Sequence, residues 1–381
     1  MLPMKVSVLQ DQLARALNLV SRAVDTRNTL PVLANVLLTA DDSRLRLSAT
    51  NLELSITTYI GAQVHQQGQI TLPAKTFGEL VSNLSPERVD LTLDGATQTV
   101  NVRCGRTTSN VRGIAAAEFP PVPEPVDPDV IVRGGDLKQM INQTAFCAAR
   151  EDSRPILTGL YVELDGSNMT MAAADGFRLA VKSIAIDAHF PQRRELVIPA
   201  RTMIEVARTI VDDQKEVGIS LPGDRDLVLF YIDNTVIASQ ILEGKFPDFN
   251  VIIPRTYSTS MLVSTADFLR DCKRAEIFAR ENNNSARLTI RPPRSAGEPG
   301  QLTLSARSSE RGDNESTLEV NAEGEVLEAS FNIRYLLDVL NVLAPTEFNI
   351  IFESAGPSAP GVIRAEKDPT FLNVIMPMAS R

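Results

Sequence analysis

The side chains of this sequence best placed for chemistry are cations on helical stretches: Arg15, Arg22, Lys75, Lys138, Arg201, Arg208, Arg270, Lys273 and Arg334 all lie off the apolar stripes. Guanidinium and ammonium groups so arranged suit phosphate oxygens. Such contacts are blind to base sequence and strongly salt-dependent, because they release condensed counterions. Any one of these residues is most simply a solvated helix face; together they point to a shared anionic partner. Lys75, Arg201 and Arg334 go further, since each opens its helix, where the partial positive charge of the backbone favours anions. Something other than helix stability keeps a cation there.

Other reactive constellations are missing from the sequence pattern. His65 and His189 lie far apart, without Cys or acidic neighbours at metal-ligand spacing. No glycine-rich phosphate loop, dinucleotide fingerprint or nucleophile elbow occurs. Asp41-Asp42 and Asp212-Asp213 sit in polar turns and read as solvated loop acids. Cys104, Cys147 and Cys272 are scattered, which suits buried reduced thiols better than a disulfide framework. The absence of Trp and the 5% aromatic content weaken a case for base stacking. A formal net charge of −9 also argues against a general nucleic-acid binder, although a local basic patch can sit on an acidic body.

The elements that must position the cations repeat. PAKTFGELV at Pro73, PARTMIEVA at Pro199 and NIRYLLDVL at Asn332 share a cation followed by apolar residues at helical spacing, with an acid at Glu79, Glu205 or Asp338. Their offsets match about a third of the 381 residues, so the repeat accounts for the whole chain. In the first repeat Leu9, Leu13, Ala16, Leu17, Val20 and Val24 predict an amphipathic helix. Strands are expected over Val32 to Leu38, Leu45 to Ala49 and Leu54 to Ile60, a second helix from Lys75, and a hairpin in which Val89, Leu91, Leu93 and Val100, Val102, Cys104 alternate. The second repeat retraces this order with Leu137, Met140, Ile141 and Ala145 on its first helix, a strand over Ile156 to Leu164 and a helix from Arg201. The third is weaker at its front, where Phe268, Leu269, Cys272 and Ala275 mark the helix and LTLSARSS a strand, and it ends in strands. The loop from Arg291 to Gly300 reads as an enlarged hairpin.

Proline-rich connectors at Phe119 to Asp129 and Phe246 to Ser258 cannot continue a helix or an inner strand. They divide the chain into 1–125, 126–255 and 256–381, three similar α+β domains, each with two helices on antiparallel sheets. No segment approaches the roughly 18 uninterrupted apolar residues of a membrane span, and MLPMKVSVLQDQ lacks the apolar core of an export signal. A cytoplasmic protein is expected.

RNTLPVLANVLL at Arg27, RPILTGL at Arg154, ADGFRLAV at Ala174, GKFPDF at Gly244, FNIRYLLDVLNVL at Phe331 and the terminal VIMPM at Val374 together resemble the bacterial DNA polymerase III beta subunit, the sliding clamp, over essentially the whole chain. The resemblance implies the DNA clamp fold, with each chain forming half of a head-to-tail dimeric ring whose helices line a hole for double-stranded DNA. It implies no catalysis and no cofactor, and a location at the nucleoid. By position, Arg27, Lys75 and Arg201 match DNA-contacting sites of the family. Expected partners are the polymerase III alpha subunit, other polymerases, ligase and mismatch-repair proteins, which carry short linear motifs, and a clamp-loader ATPase. The matching peptide-pocket positions are Arg154, Leu157, Gly176, Phe177, Arg178, Leu179, Pro247, Val374, Ile375, Met376, Pro377 and Met378, with plain strand core as the other reading of Leu157, Leu179 and Val374. Phe177 stands where relatives commonly carry histidine. Ile277 and Phe278 match the subunit interface, with a core role as the alternative. Two further classes stay open on the residues alone: a peptide-binding scaffold or clamp paralogue that does not load on DNA, and a nuclease using loop carboxylates.

Overall fold

The computed structural model describes residues 4–25, 30–151, 153–221, 223, 226–295 and 297–379. Among them six α-helices form, two in each repeat: α1 Gln10–Val20, α2 Ala74–Ser82, α3 Gly134–Thr144, α4 Ala200–Thr209, α5 Thr265–Ala279 and α6 Ile333–Leu343. Every strand pairing is antiparallel. None of the helices is long and apolar enough to cross a membrane. The chain's contacts gather into two units: the segment ending at Leu137 with Glu205–Ile241, and Lys138–Ile204 with Leu242–Arg381. The middle repeat is therefore shared between them.

In the first unit α1 and α2 pack on each other and on the strands beneath. The stripe of α1 buries Leu13, Ala16, Leu17 and Val20, while α2 buries Ala74, Phe77 and Val81. Leu9, which the helical spacing includes, instead ends the strand Lys5–Leu9 and is 52% exposed. The segment beginning at Val32 starts as a 3-10 turn, Pro31–Ala34, before the strand Asn35–Asp41, because proline fixes φ and suits the first turn of a helix. An eight-stranded sheet joins two repeats through the pairing of Leu54–Gly61 with Thr235–Gln240, where Thr58 and Thr235 share a buried hydroxyl bond of 3.0 Å. The alternating hairpin forms as Arg88–Asp94 and Thr99–Cys104 within a separate five-stranded sheet.

The second unit is built on a ten-stranded sheet. Here Arg178–Pro199 pairs with Phe371–Ile375, so that Leu179 faces Val374 and Arg178 faces Ile375. Pro155 sets another 3-10 turn, Pro155–Thr158, ahead of the strand Gly159–Ala174. The enlarged hairpin is present as Ser285–Arg291 against Gly300–Ser308. Helices α5 and α6 pack together, and Phe268, Phe331, Leu336, Leu340 and Phe352 are fully buried beneath or within them. Phe331 meets Phe352 edge-on at 5.7 Å, a geometry that aromatic rings favour.

Candidate functional site

Lys75, Arg201 and Arg334 are each the second residue of their helix, α2, α4 and α6. All three are exposed, and Lys75 and Arg201 form no ion pair among the described residues. For Lys75 and Arg201, no ion pair among the described residues offsets the unfavourable placement against the helix dipole, while Arg334 has Glu276 at 4.0 Å. Arg15 on α1 pairs with Asp11 one turn earlier. Arg22, in the 3-10 turn that follows α1, approaches Glu205 at 3.6 Å, and Arg208 bonds the same carboxylate at 2.7 Å. Glu205 is 7% exposed. Arg15, Arg22 and Arg208 thus line one cleft of about 660 Å³ in the first unit, with Tyr59, Asn234 and Val211 on its other sides. Lys138 is half-buried on α3; Arg270 pairs with Asp267 at 2.9 Å, and Lys273 is exposed on α5. Arg27 lies outside the described residues.

A larger cavity, about 1030 Å³, opens in the second unit. Arg154, Leu157, Gly176, Phe177 and Arg178 contribute to its wall. Asp175 shapes the turn by accepting the N–H groups of Phe177 and Arg178 at 2.9 and 3.1 Å, and Gly176 at φ +92° supplies the left-handed residue that the turn requires. Phe177 is thereby held outward, 62% exposed. Beside it Met376 donates its N–H to the Phe177 carbonyl at 2.8 Å and is 41% exposed, while Met378 donates to the Ser330 carbonyl. Pro247 is exposed and Pro377 half-buried. Leu157, Leu179 and Val374 lie in an apolar cluster with Tyr161 and Phe246. Leu179 and Val374 are at most 1% exposed, as is Ile375. Ile375 turns to the opposite face with Arg178, so these three support the surface from beneath and offer little of it.

Arg178 behaves differently from an exposed pocket residue. It is 7% exposed and bonds Asp175 at 2.9 Å, Asp338 of α6 at 2.6 Å and the Phe146 carbonyl at 2.7 Å, with its guanidinium 4.3 Å above the Tyr335 ring. A delocalised planar cation satisfies such a set better than an ammonium could. Asp175, Tyr335 and Asp338 escaped the sequence reading as members of this site. Asp338 is visible there as the acid one helical turn after Arg334, a signal that could have brought it in.

Ile277 on α5 is 50% exposed, which excludes the core role for it, and Phe278 beside it is half-buried. Cys104, Cys147 and Cys272 are free and buried, and burial pushes all three thiols up, so none is poised as a thiolate nucleophile. Among the described residues no group of three or more His, Cys, Asp or Glu could hold a metal ion. What the arrangement offers is binding: exposed cations at helix starts in both units, an arginine-lined cleft in the first and a mixed apolar and charged cavity in the second.

The chain matches the DNA polymerase III beta subunit three times in succession: its N-terminal domain over residues 4–123, its central domain over 132–248 and its C-terminal domain over 250–379. It is 30% identical over 386 residues to the beta sliding clamp of Bacillus subtilis, a span that covers 98% of this chain and 99% of that one. Identity to the beta sliding clamp of Synechococcus elongatus is 33% over 355 residues, 92% and 93% of the two chains. Among solved structures, the DNA polymerase sliding clamp of Bacillus subtilis superposes with a TM-score of 0.93 at 28% identity, covering 99% of this chain and all of that one. The sliding clamp of Pseudomonas aeruginosa bound to griselimycin superposes at 0.90 and 26% identity with the same coverage. The chain accordingly belongs to the family of the DNA polymerase III beta subunit, the sliding clamps, which are non-catalytic processivity factors of that polymerase.

Proposed function

We propose that two copies of this chain, each of three domains spanning about 1–125, 126–255 and 256–381, close head to tail around duplex DNA at the nucleoid and tether proteins to it. The observation that carries this reading is the set of exposed cations at helix starts, Lys75 and Arg201, together with the Arg15, Arg22 and Arg208 cleft, on a chain of net charge −9. Lys138, half-buried on α3, and Arg27, by its match to the family alone, are further expected phosphate contacts. These side chains attract phosphate without reading bases, which lets DNA move. Closure then makes repeated encounters of a polymerase with its template effectively intramolecular, so tethering needs no tight grip.

Proteins are held through the cavity in the second unit. Its wall, where the exposed Phe177 stands with the buried Leu157 and with Met376 bonded to the Phe177 backbone, fits an apolar side chain of a short linear peptide. Methionine, unbranched and polarizable, adapts to several such peptides. The alpha subunit of the polymerase, other polymerases, ligase and mismatch-repair proteins are the expected bearers, and a separate ATPase opens the ring. The peptide-bound state has a parallel in the griselimycin complex of the Pseudomonas aeruginosa clamp.

The deciding experiment is retention on plasmid. Loaded on a closed circle by a clamp loader, the protein stays through gel filtration and leaves when the circle is cut. Equal loss from closed and cut DNA overturns the encircling reading.

A further inference from the structure

Asp338 lies one helical turn into α6 after Arg334, half-buried in the wall of the second unit's cavity. One of its oxygens, Oδ2, accepts Nη1 of the buried Arg178 at 2.6 Å. The same guanidinium donates Nε to Asp175 Oδ2 at 2.9 Å, and the other oxygen of Asp175 accepts the N–H groups of Phe177 and Arg178. The Phe177 carbonyl in turn accepts the Met376 N–H at 2.8 Å. An unbroken line of bonds therefore runs from a helix of the third repeat, through Arg178, to the exposed Phe177 of the second.

That line has little freedom except at its end. Nη2 of Arg178 is taken by the Phe146 carbonyl, and the Tyr335 ring lies 4.3 Å from the guanidinium, so the cation is fixed on every side. Gly176, at φ +92°, imposes no geometry of its own on the turn, which therefore takes its shape from the Asp175 carboxylate.

The same device recurs in the first unit. Glu205 is the sixth residue of α4, as Asp338 is of α6, and it approaches Arg22 of the first repeat at 3.6 Å. Each acid reaches an arginine of the repeat before its own. Glu79, the sixth residue of α2, belongs to the first repeat and is exposed, with no ion pair among the described residues.

We infer that Asp338 is a positioning residue of the peptide cavity: through Arg178 and Asp175 it fixes the turn that holds Phe177 outward, so that α6 sets the shape of a wall carried by the repeat before it. This rests on the peptide reading above and requires no contact between Asp338 and the peptide. The effect is local, because Leu179 to Lys182 stay paired with Phe371 to Val374 whatever becomes of the turn.

The full-length chain contains no tryptophan, so Phe177→Trp places a single indole on the turn. Its anisotropy decay, followed without peptide, should gain a fast nanosecond component when Asp338→Ala is added. With Phe177 kept, the probes are fluorescein-labelled short peptides of glycine and serine that carry two adjacent leucines or phenylalanines. Asp338→Ala should weaken their binding about three- to ten-fold, the cost of ordering a turn that has lost one charged, partly exposed bond. Asp338→Asn, which keeps an oxygen for Nη1, should recover most of both losses. Asp338→Ser, too short to reach the guanidinium, carries the same expectations as Asp338→Ala if the latter does not fold. Equal affinity in the parent and Asp338→Ala overturns the inference. Weaker binding with the indole as still as in the parent also overturns it, since Asp338 would then touch the peptide directly. A parent that binds none of the peptides overturns the peptide reading and this inference with it.

Discussion

Glu205 stands between two of the arginines in the α1 cleft, bonded to Arg208 at 2.7 Å and approached by Arg22 at 3.6 Å, a distance too long for a hydrogen bond. One of its oxygens, Oε2, is buried without a hydrogen-bond partner. A carboxylate kept there offsets positive charge where phosphate is expected, and so weakens the grip that would slow movement along DNA. The Glu205→Gln protein is expected to resist salt better on closed plasmid, with the slope of log retention against log salt steeper by about one contact. If it is released more readily than the parent, Glu205 instead serves to hold Arg22 in position. Arg178 teaches the complementary lesson. Its residue type suits a binding surface, and only its three bonds and the Tyr335 ring show that it braces the cavity from behind.

Among the elements, the strands Arg178–Pro199 and Phe371–Ile375 bring the second and third repeats together, and their register ends at Lys182 opposite Phe371. Lys182, almost fully buried, bonds Thr370 at 2.7 Å and pairs closely with Asp368 in the turn before the last strand. Burial alone would raise the Asp368 carboxyl; the bonds from Lys182 and Thr370 outweigh it and hold the group below the ordinary carboxylate range. A depressed folded value means stability that is present above the unfolded value, about 3.9, and lost as pH falls through the folded one. Asp368→Asn is therefore expected to unfold more easily than the parent by about 2 kcal/mol near neutrality. Urea midpoints should show that gap steady above about pH 5 and closing only in stronger acid; a gap that closes near neutrality would place the effect elsewhere. The elements themselves were largely legible, because spacing of three and four or strict alternation repeats within each of them. Boundaries failed where one proline shifted the local geometry, at Pro31 and Pro155. The strand Gly312–Gly324 was harder to find, since its first half, Asp313 to Thr317, holds no apolar residue, and alternation begins only with Leu318, Val320 and Ala322 against Glu319, Asn321 and Glu323. The company of Arg334 was out of reach for another reason: Glu276 and Arg154 come from segments remote in sequence, and no local pattern joins them.

At the scale of the whole molecule, an acidic protein of net charge −9 that works on a polyanion cannot depend on affinity alone. On the proposed reading, retention comes from closure, and closure from a second copy. Ile277 is the residue to question, since it leaves half its surface to solvent on α5 beside Phe278. Ile277 is exposed in the last turn of α5, where the helix dipole disfavours an anion by no more than about 1 kcal/mol, so Ile277→Asp should melt only slightly below the parent if the chain acts alone. If the same side chain is buried against a partner, aspartate puts an unpaired charge into that contact and separates the subunits. The expected outcome is a melt lowered by no more than that penalty, with a native mass of 41.6 kDa by light scattering, where the parent shows twice that value. Closed plasmid should then lose the variant as fast as cut plasmid loses the parent. A variant that stays paired and stays on closed circles would move the subunit contact away from α5, and a parent that is itself a single chain at working concentration would remove the ring.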